Sequence, residues 1–252
     1  MDDIKQNLQA FLNLVAHHRD EDAVIYDSIA AGYDRFARPW NELFAKSALG
    51  RLDAIMAKRL KPGCRVLDAG CGTGESIRRL LAIVDVGEIV ALDSSPIMLD
   101  MARRKISDRR VRFVEGDVRQ LPFADNTFDA VISTWVLELF DKPREIVEEF
   151  VRVINVEGFA AYSFITLPRE SAEEMTDEFA HQLLPASAHA RSYLRSARRP
   201  FHECSHSSLE EFCGGLLTVA TVAKCCRVEN ARLPCRDQPS AALDLPPPSS
   251  ES

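Results

Sequence analysis

Val66-Leu-Asp-Ala-Gly-Cys-Gly-Thr-Gly74 decides how the rest of the chain is read. Apolar residues run into Asp68, three glycines follow at alternate positions, and a helical pattern resumes from Glu75 to Ile83. The stretch therefore predicts a short buried strand, a tight turn and a helix. Glycines in such a turn relieve backbone strain and let a ligand approach the main chain. The same unit recurs downstream. Ile89-Val-Ala-Leu92 reads as a second strand closed by Asp93, before a helix with Ser95 at its cap and Pro96 in its first turn. Val111 to Val114 and Asp129 to Ser133 read as further strands, Pro143 to Ile154 as a helix, and Phe159 to Thr166 as a fifth strand. Short apolar strands separated by helices predict an α/β fold with a mainly parallel sheet covered on both faces. Right-handed crossovers put every parallel strand's carboxyl end on one edge, where ligands bind.

The flanks are different. Ile4, Leu8, Phe11, Leu12 and Val15 give residues 3–19 an apolar helical stripe, and Tyr26 and Tyr33 share one face of a second helical stretch from Ala23. A third opens at Trp40, Leu43 and Phe44, reaches about Arg59, and ends before Pro62-Gly63. After Pro168, Ser171-Ala-Glu-Glu174 resembles a capping box ahead of a helix with Met175, Phe179 and Leu183. Ser208-Leu-Glu-Glu211 predicts another helix start, while Leu216 to Val222 and Cys225 to Val228 read as β. The expected organisation is one domain over 1–236. It comprises a helical N-terminal lid region (1–60), a ligand-binding core (61–166), and a lid-like insertion after strand five (167–207). A disordered tail (237–252) with Pro246-Pro-Pro248 follows.

The 252 residues carry 31 basic and 38 acidic side chains, a net charge of −7. That balance argues against a general binder of polyanions. Apolar runs are broken before a membrane-spanning length, and Met1-Asp-Asp-Ile-Lys5 lacks the order of a signal peptide. The expectation is a cytoplasmic protein. The seven cysteines contain no Cys-x-x-Cys, and the six histidines show no metal-ligand spacing, so no metal is expected. His181 and His189, in the insertion, are candidate bases because histidine titrates near neutrality.

Asp93, nineteen residues beyond Gly74, ends the second strand where a carboxylate can accept both hydroxyls of an adenosine ribose. Two adenosine ligands compete. The dinucleotide pattern G-x-G-x-x-G needs a third glycine where this chain has Glu75. Glu75 and Asp68 would oppose a pyrophosphate but suit a ligand with an ammonium and a sulfonium. Charge therefore favours S-adenosylmethionine over NAD.

Asp68-Ala-Gly-Cys-Gly-Thr-Gly74 resembles the first motif of class I S-adenosylmethionine-dependent methyltransferases, and most of all their ubiquinone/menaquinone-biosynthesis-like group of small-molecule enzymes. Asp93-Ser-Ser-Pro-Ile-Met98, Glu115-Gly-Asp-Val118, Leu121-Pro-Phe-Ala-Asp-Asn-Thr-Phe-Asp-Ala-Val131 and Thr134-Trp-Val-Leu-Glu138 resemble later segments of the family in order and spacing. The Tyr33-Asp34 pair resembles the one before the family's core. The resemblance implies a Rossmann-like fold with a seven-stranded sheet, the seventh strand antiparallel. It also implies a cofactor site formed by Asp68, Gly70, Cys71, Gly72, Thr73 and Gly74. Asp93 would hold the ribose, with Ser94 and Met98 flanking the adenine. Beyond them Gly116, Asp117 and Val118 would meet the adenine, Thr134 and Trp135 the methionine part, and Tyr33 would close over it. Cys71 reads as a loop residue rather than a nucleophile, Asp129 as structural, and Glu138 as either ordering a helix or facing the acceptor. Val156-Glu-Gly158 stands where the family has Pro-Gly-Gly, and the match is poor beyond residue 166.

The implied activity is transfer of a methyl group from S-adenosyl-L-methionine to a small-molecule acceptor, releasing S-adenosyl-L-homocysteine. Sequence alone singles out no catalytic residue. A protein that binds the cofactor without transferring its methyl group is the alternative. Nucleic acid is disfavoured as a partner, since there is no Asn-Pro-Pro-Tyr-like segment and no basic–aromatic tract. Arg191, Arg195, Arg198 and Arg199 read as a solvated face, and the expected state is a monomer or homodimer. Calorimetry should register S-adenosylmethionine and S-adenosylhomocysteine but not NAD. Tight NAD binding with no response to the other two would overturn the ligand assignment.

Overall fold

The computed structural model describes residues 30, 32–35, 37–38, 40–42, 45–140, 142–165, 207–212 and 217–224. Helical residues between 30 and 42 lead, across a bend at Ala45, into α1 (Lys46–Arg59). Then come β1 (Arg65–Ala69), α2 (Glu75–Ile83), β2 (Glu88–Asp93), α3 (Pro96–Lys105), β3 (Val111–Glu115) and β4 (Phe128–Thr134). A 3-10 turn (Leu137–Leu139), α4 (Pro143–Val153), β5 (Ile154–Ile165), β6 (Ser208–Phe212) and β7 (Leu217–Ala223) complete the described elements.

The seven strands form one sheet in the order β3-β2-β1-β4-β5-β7-β6. The pairs from β3 to β5 are parallel, and β7 runs antiparallel to both β5 and β6. This is the Rossmann-like methyltransferase arrangement. Strand order reverses between β1 and β4, the switch point where an α/β sheet opens a crevice at its carboxyl edge.

Alternation along the strands builds the core in two layers. Val66, Ile89, Ala91, Ala130, Ile132, Phe159 and Ala161 face α1 and α2, meeting Leu52, Met56, Ile77 and Leu80. Leu67, Val90, Leu92, Val131, Tyr162 and Phe164 face the other way, onto Ile146, Val147, Phe150 and Val153 of α4. Both faces are apolar because both are covered, which is why the strands read as continuous apolar runs. No helix among the described residues is long and apolar enough to cross a membrane.

Local signals place several boundaries. Gly74, at φ +89°, precedes α2, and Ser95 Oγ accepts the Met98 N–H at 3.1 Å to cap α3, with Pro96 in its first turn. Two readings need correction. Ser208-Leu-Glu-Glu211 is an edge strand, not a helix start. Pairing with β7, a Ser208–Thr221 hydroxyl contact of 2.7 Å and a forked Arg51–Glu210 ion pair outweigh the local capping pattern. Strand five also begins earlier, at Ile154. The register slips between Phe128 and Ala130, so Val156-Glu-Gly158 forms an irregularity within β5 rather than a turn before it. A side chain on Gly158 would meet the Asp129 carbonyl at 2.9 Å.

The first predicted helix, most of the second, the insertion helix, Cys225 to Val228 and the tail lie outside the described residues. So do His181, His189, the cysteines Cys204, Cys213, Cys225, Cys226 and Cys235, and the arginine run.

Phe150 is fully buried, its ring centroid 6.2 Å from that of Tyr162. Phe150→Ala should cost about 3–5 kcal/mol in urea unfolding. A loss below about 1 kcal/mol would contradict its place in the α4 layer.

Candidate functional site

The glycine loop leaves β1 at the carboxyl edge, and its shape is set by backbone geometry. Gly70 has φ +77°, and a side chain there would lie 2.3 Å from Val136 Cγ2. The N–H groups of Gly70 and Cys71 both donate to the Leu92 carbonyl, at 2.8 and 2.9 Å. One residue on, the Gly72 N–H donates to Asp93 Oδ2 at 2.8 Å, while Asp93 Oδ1 accepts the Ser95 N–H at 2.9 Å. Asp93 thus ties the loop to the start of α3 while its carboxylate stays beside the crevice.

Asp68 is wholly buried below the loop, and neither of its carboxylate oxygens has a hydrogen-bond partner. Burial, helped by the nearby Asp93 charge, pushes its carboxyl up to about 8. Burial also pushes the Cys71 thiol well up, with the Asp68 and Asp93 charges adding to it. The cysteine therefore stays a neutral thiol, as expected of a loop residue and not of a nucleophile. Among the described residues no cluster of His, Cys, Asp and Glu could hold a metal ion.

The segment before α1 is fastened to this edge of the sheet. Asp34 Oδ1 accepts the Thr73 hydroxyl at 2.6 Å, and its Oδ2 is bound by the Lys105 ammonium. Burial works against ionisation of Asp34, but the Lys105 and Thr73 hydrogen bonds hold it below the usual carboxylate range. This clamp joins the segment before α1 to the glycine loop and to the last turn of α3. Tyr33, one residue earlier, is brought in with it. Burial and the charges of Asp93, Glu138 and Asp34 push its phenol well above the ordinary value, so it remains a neutral hydroxyl.

The far wall follows β4. Thr134 Oγ1 lies 3.0 Å from Ser76 Oγ at the start of α2. Trp135 has φ +60°, a conformation that costs a bulky residue about 1–3 kcal/mol. Its N–H bonds the Ser163 carbonyl at 3.0 Å, and its ring meets Trp40 edge-on, centroids 6.3 Å apart. Glu138 follows in the 3-10 turn. Its Oε2 is buried without a hydrogen-bond partner, and burial pushes the carboxyl up to about 8, against the pull of the Glu138 and Ile165 N–H groups.

The remaining predicted residues line the β2–β3 side. Met98 and Val118 are buried, and Ser94 is half-buried next to Asp93. Gly116 donates its N–H to the Asp93 carbonyl at 3.0 Å. Asp117 is held by Arg119. Burial would raise its carboxyl, but the Arg119 side chain and N–H draw it below the usual range. Asp129 is structural, accepting the Arg65 N–H and the Asn155 amide. The structure thus gathers the predicted residues along one sheet edge. Sequence reasoning missed Thr73 and Lys105 as partners of Asp34, Ser76 as partner of Thr134, and Trp40 as neighbour of Trp135. No local signal marks these pairs: Asp34 and Lys105 are 71 residues apart, Ser76 and Thr134 58.

Asp68 sets a requirement for any ligand that reaches it. A buried carboxylate without partners costs free energy until a cation or donor reaches it. An ammonium or sulfonium would meet that need, whereas a pyrophosphate would add like charge.

Comparison with known proteins agrees. The "Methyltransferase domain" family model matches residues 67–162. The ubiquinone/menaquinone biosynthesis C-methyltransferase UbiE of Coxiella burnetii (strain CbuK_Q154) is 29% identical over 230 residues, covering 77% of this chain and 87% of that protein. Demethylmenaquinone methyltransferase of Renibacterium salmoninarum is 33% identical over 188 residues, covering 71% and 73%. Among solved structures, the DhpI–SAH complex shares the fold with a TM-score of 0.56 at 20% identity, over 81% of this chain and 96% of that one. The chain belongs to the class I S-adenosylmethionine-dependent methyltransferases, in their ubiquinone/menaquinone-biosynthesis-like group, and is an enzyme that transfers the methyl group of S-adenosyl-L-methionine to a small molecule.

Proposed function

We propose that the acceptor is an electron-rich aromatic ring, a quinone head group in its reduced hydroquinone form. The bound cofactor supplies a methyl group made electrophilic by its sulfonium, so the acceptor atom must be nucleophilic, and a hydroquinone ring meets this where an oxidised quinone does not. The quinone-related activities named for the two relatives support the reading. So does the edge-on aromatic contact between Trp40 and Trp135.

The observation that carries the cofactor's placement is the buried, unpartnered carboxylate of Asp68. In this reading Asp68 faces the methionine ammonium and Asp93 accepts from the ribose hydroxyls. Backbone groups from Gly70 through Gly74, with Thr134, line the methionine part. Ser94, Met98, Gly116, Asp117 and Val118 surround the adenine. Tyr33 and Trp135 close the methyl end and exclude water, leaving catalysis mainly to alignment of the acceptor. The segment before α1 serves as one lid, which the Asp34–Thr73–Lys105 clamp supports, and residues 167–207 as another. The enzyme acts on free metabolites rather than nucleic acid, in the cytoplasm, as a monomer or homodimer; a net charge of −7 fits that setting.

Incubation with methyl-labelled cofactor and dithionite-reduced demethylmenaquinone should yield a ring-methylated product. Methylation of amine metabolites alone, with none of the hydroquinone, would refute the acceptor class.

Asp68 gives a pH test of the cofactor assignment. Its folded carboxyl titrates near 8, against about 4 for a free aspartate, so the folded state holds its proton more tightly than the unfolded chain. The ligand-free protein therefore loses stability from about pH 4 up to about pH 8 through this group, and is flat beyond. Asp68→Asn should unfold at a higher temperature than the parent at pH 8 and match it at pH 4. The same variant should bind S-adenosylmethionine about ten-fold or more weakly in calorimetry. Unchanged affinity would remove Asp68 from the cofactor site.

A further inference from the structure

We propose that Glu138 is the catalytic base, taking the proton from the hydroxyl of the bound acceptor so that the ring becomes nucleophilic only inside the closed site. The inference rests on the methyl-transfer reading above and names a residue for a step which that reading leaves to the acceptor alone.

The argument begins with position. Glu138 sits four residues past Thr134, in the 3-10 turn that carries the chain off the carboxyl end of β4. Between the two in sequence lies the strained Trp135, at φ +60°. Its Oε2 is shielded from water and makes no hydrogen bond, although the N–H groups of Glu138 and Ile165 face the carboxylate. A carboxylate so placed has one oxygen steadied by the main chain and one left for an incoming proton donor.

The surrounding charges separate Glu138 from the cofactor acids. From the segment before α1, Tyr33 is the ionisable side chain that feels Glu138, and it also feels Asp34 beside it and Asp93 from β2. Asp68 under the loop feels Asp93, while Glu138 is not among the groups that shift it. The end of β5 contributes only the Ile165 N–H. Tyr33 thus feels two sets of acids: Asp93, which also acts on Asp68, and Glu138. A cation satisfies the first pair; the second carboxylate needs a proton. Burial raises Glu138 into the range where a carboxylate can accept a proton near neutrality.

A phenolic hydroxyl with a pKa of about 10 is neutral at pH 7 and leaves its ring a poor nucleophile. The proton passes from that oxygen to Glu138 Oε2, and the freed electron pair moves into the ring. The ring carbon then bonds the methyl carbon as the methyl–sulfur bond breaks, its pair staying on sulfur. The ring carbon next loses its own proton to water, Glu138 returns the first proton to the oxygen, and one proton is released per turnover.

The test uses the full-length protein, Glu138→Gln, and reduced demethylmenaquinone as the probe. Glu138→Gln should lower kcat by about 10²–10⁴-fold with KM little changed. The parent's kcat should rise between pH 6 and 8.5. In the variant that limb should vanish, and activity should return only where the hydroquinone ionises by itself. Affinity for S-adenosylhomocysteine should be unchanged. Full kcat with the same pH limb would overturn the proposal, and so would parallel losses of cofactor affinity and thermal stability, which mark a structural residue. Should the parent leave the probe unmethylated, the hydroquinone reading fails by itself, and carboxyl titration by carbon-13 NMR in the S-adenosylhomocysteine complex decides the base. A carboxyl signal absent from Glu138→Gln and titrating near 8 supports it; one ionised throughout the neutral range overturns it.

Discussion

Two N–H groups on one carbonyl hold this site together. Gly70 and Cys71 both donate to Leu92, so the chain leaving β1 is bound to the end of β2 before it turns into α2. The turn requires a positive φ at Gly70, and Val136 from the exit of β4 fills the space a side chain would need. Three strand ends meet there without a gap. Because β1 lies between β2 and β4, this junction puts Asp68, Asp93 and Trp135 at neighbouring strand ends on one sheet edge.

That junction concentrates acid where water is scarce. Asp68 is buried without a partner and feels the Asp93 charge, and Tyr33 feels both Asp93 and Glu138. Such an arrangement opposes folding in the absence of ligand and favours whatever cation or proton relieves it. The segment before α1 is tied over the crevice by Asp34, which binds Thr73 of the loop and Lys105 of α3. That segment and the glycine loop are thereby linked through Asp34, the residue after Tyr33. The strain at Trp135 belongs to the same edge, held by a backbone bond to β5 and by the Trp40 ring.

Much of the core was legible in the primary structure because its signals are local. Strand, glycine turn and capped helix follow one another within a few residues, and the boundaries of α2 and α3 fall where Gly74 and Ser95 place them. The failures share one cause. Ser208-Leu-Glu-Glu211 carries a helix-start pattern, but β7 offers a ladder of partners and Arg51 a half-buried counter-charge for Glu210, and these outweigh a cap. The extension of β5 back to Ile154 likewise depends on Phe128, a partner on another strand.

The sequence by itself determined the strand–loop–helix grammar, the acids at the strand ends and the class of cofactor they suit, since each is written in adjacent residues. Only the tertiary structure decided which distant groups meet: Asp34 with Lys105, Ser76 with Thr134, Trp40 with Trp135. It alone turned Glu138 from an ordinary turn acid into a shielded carboxylate with an open oxygen. The physical reason is desolvation. Whether a carboxylate is an idle surface charge or a base depends on how much water reaches it, and packing across strands sets that rather than sequence neighbours.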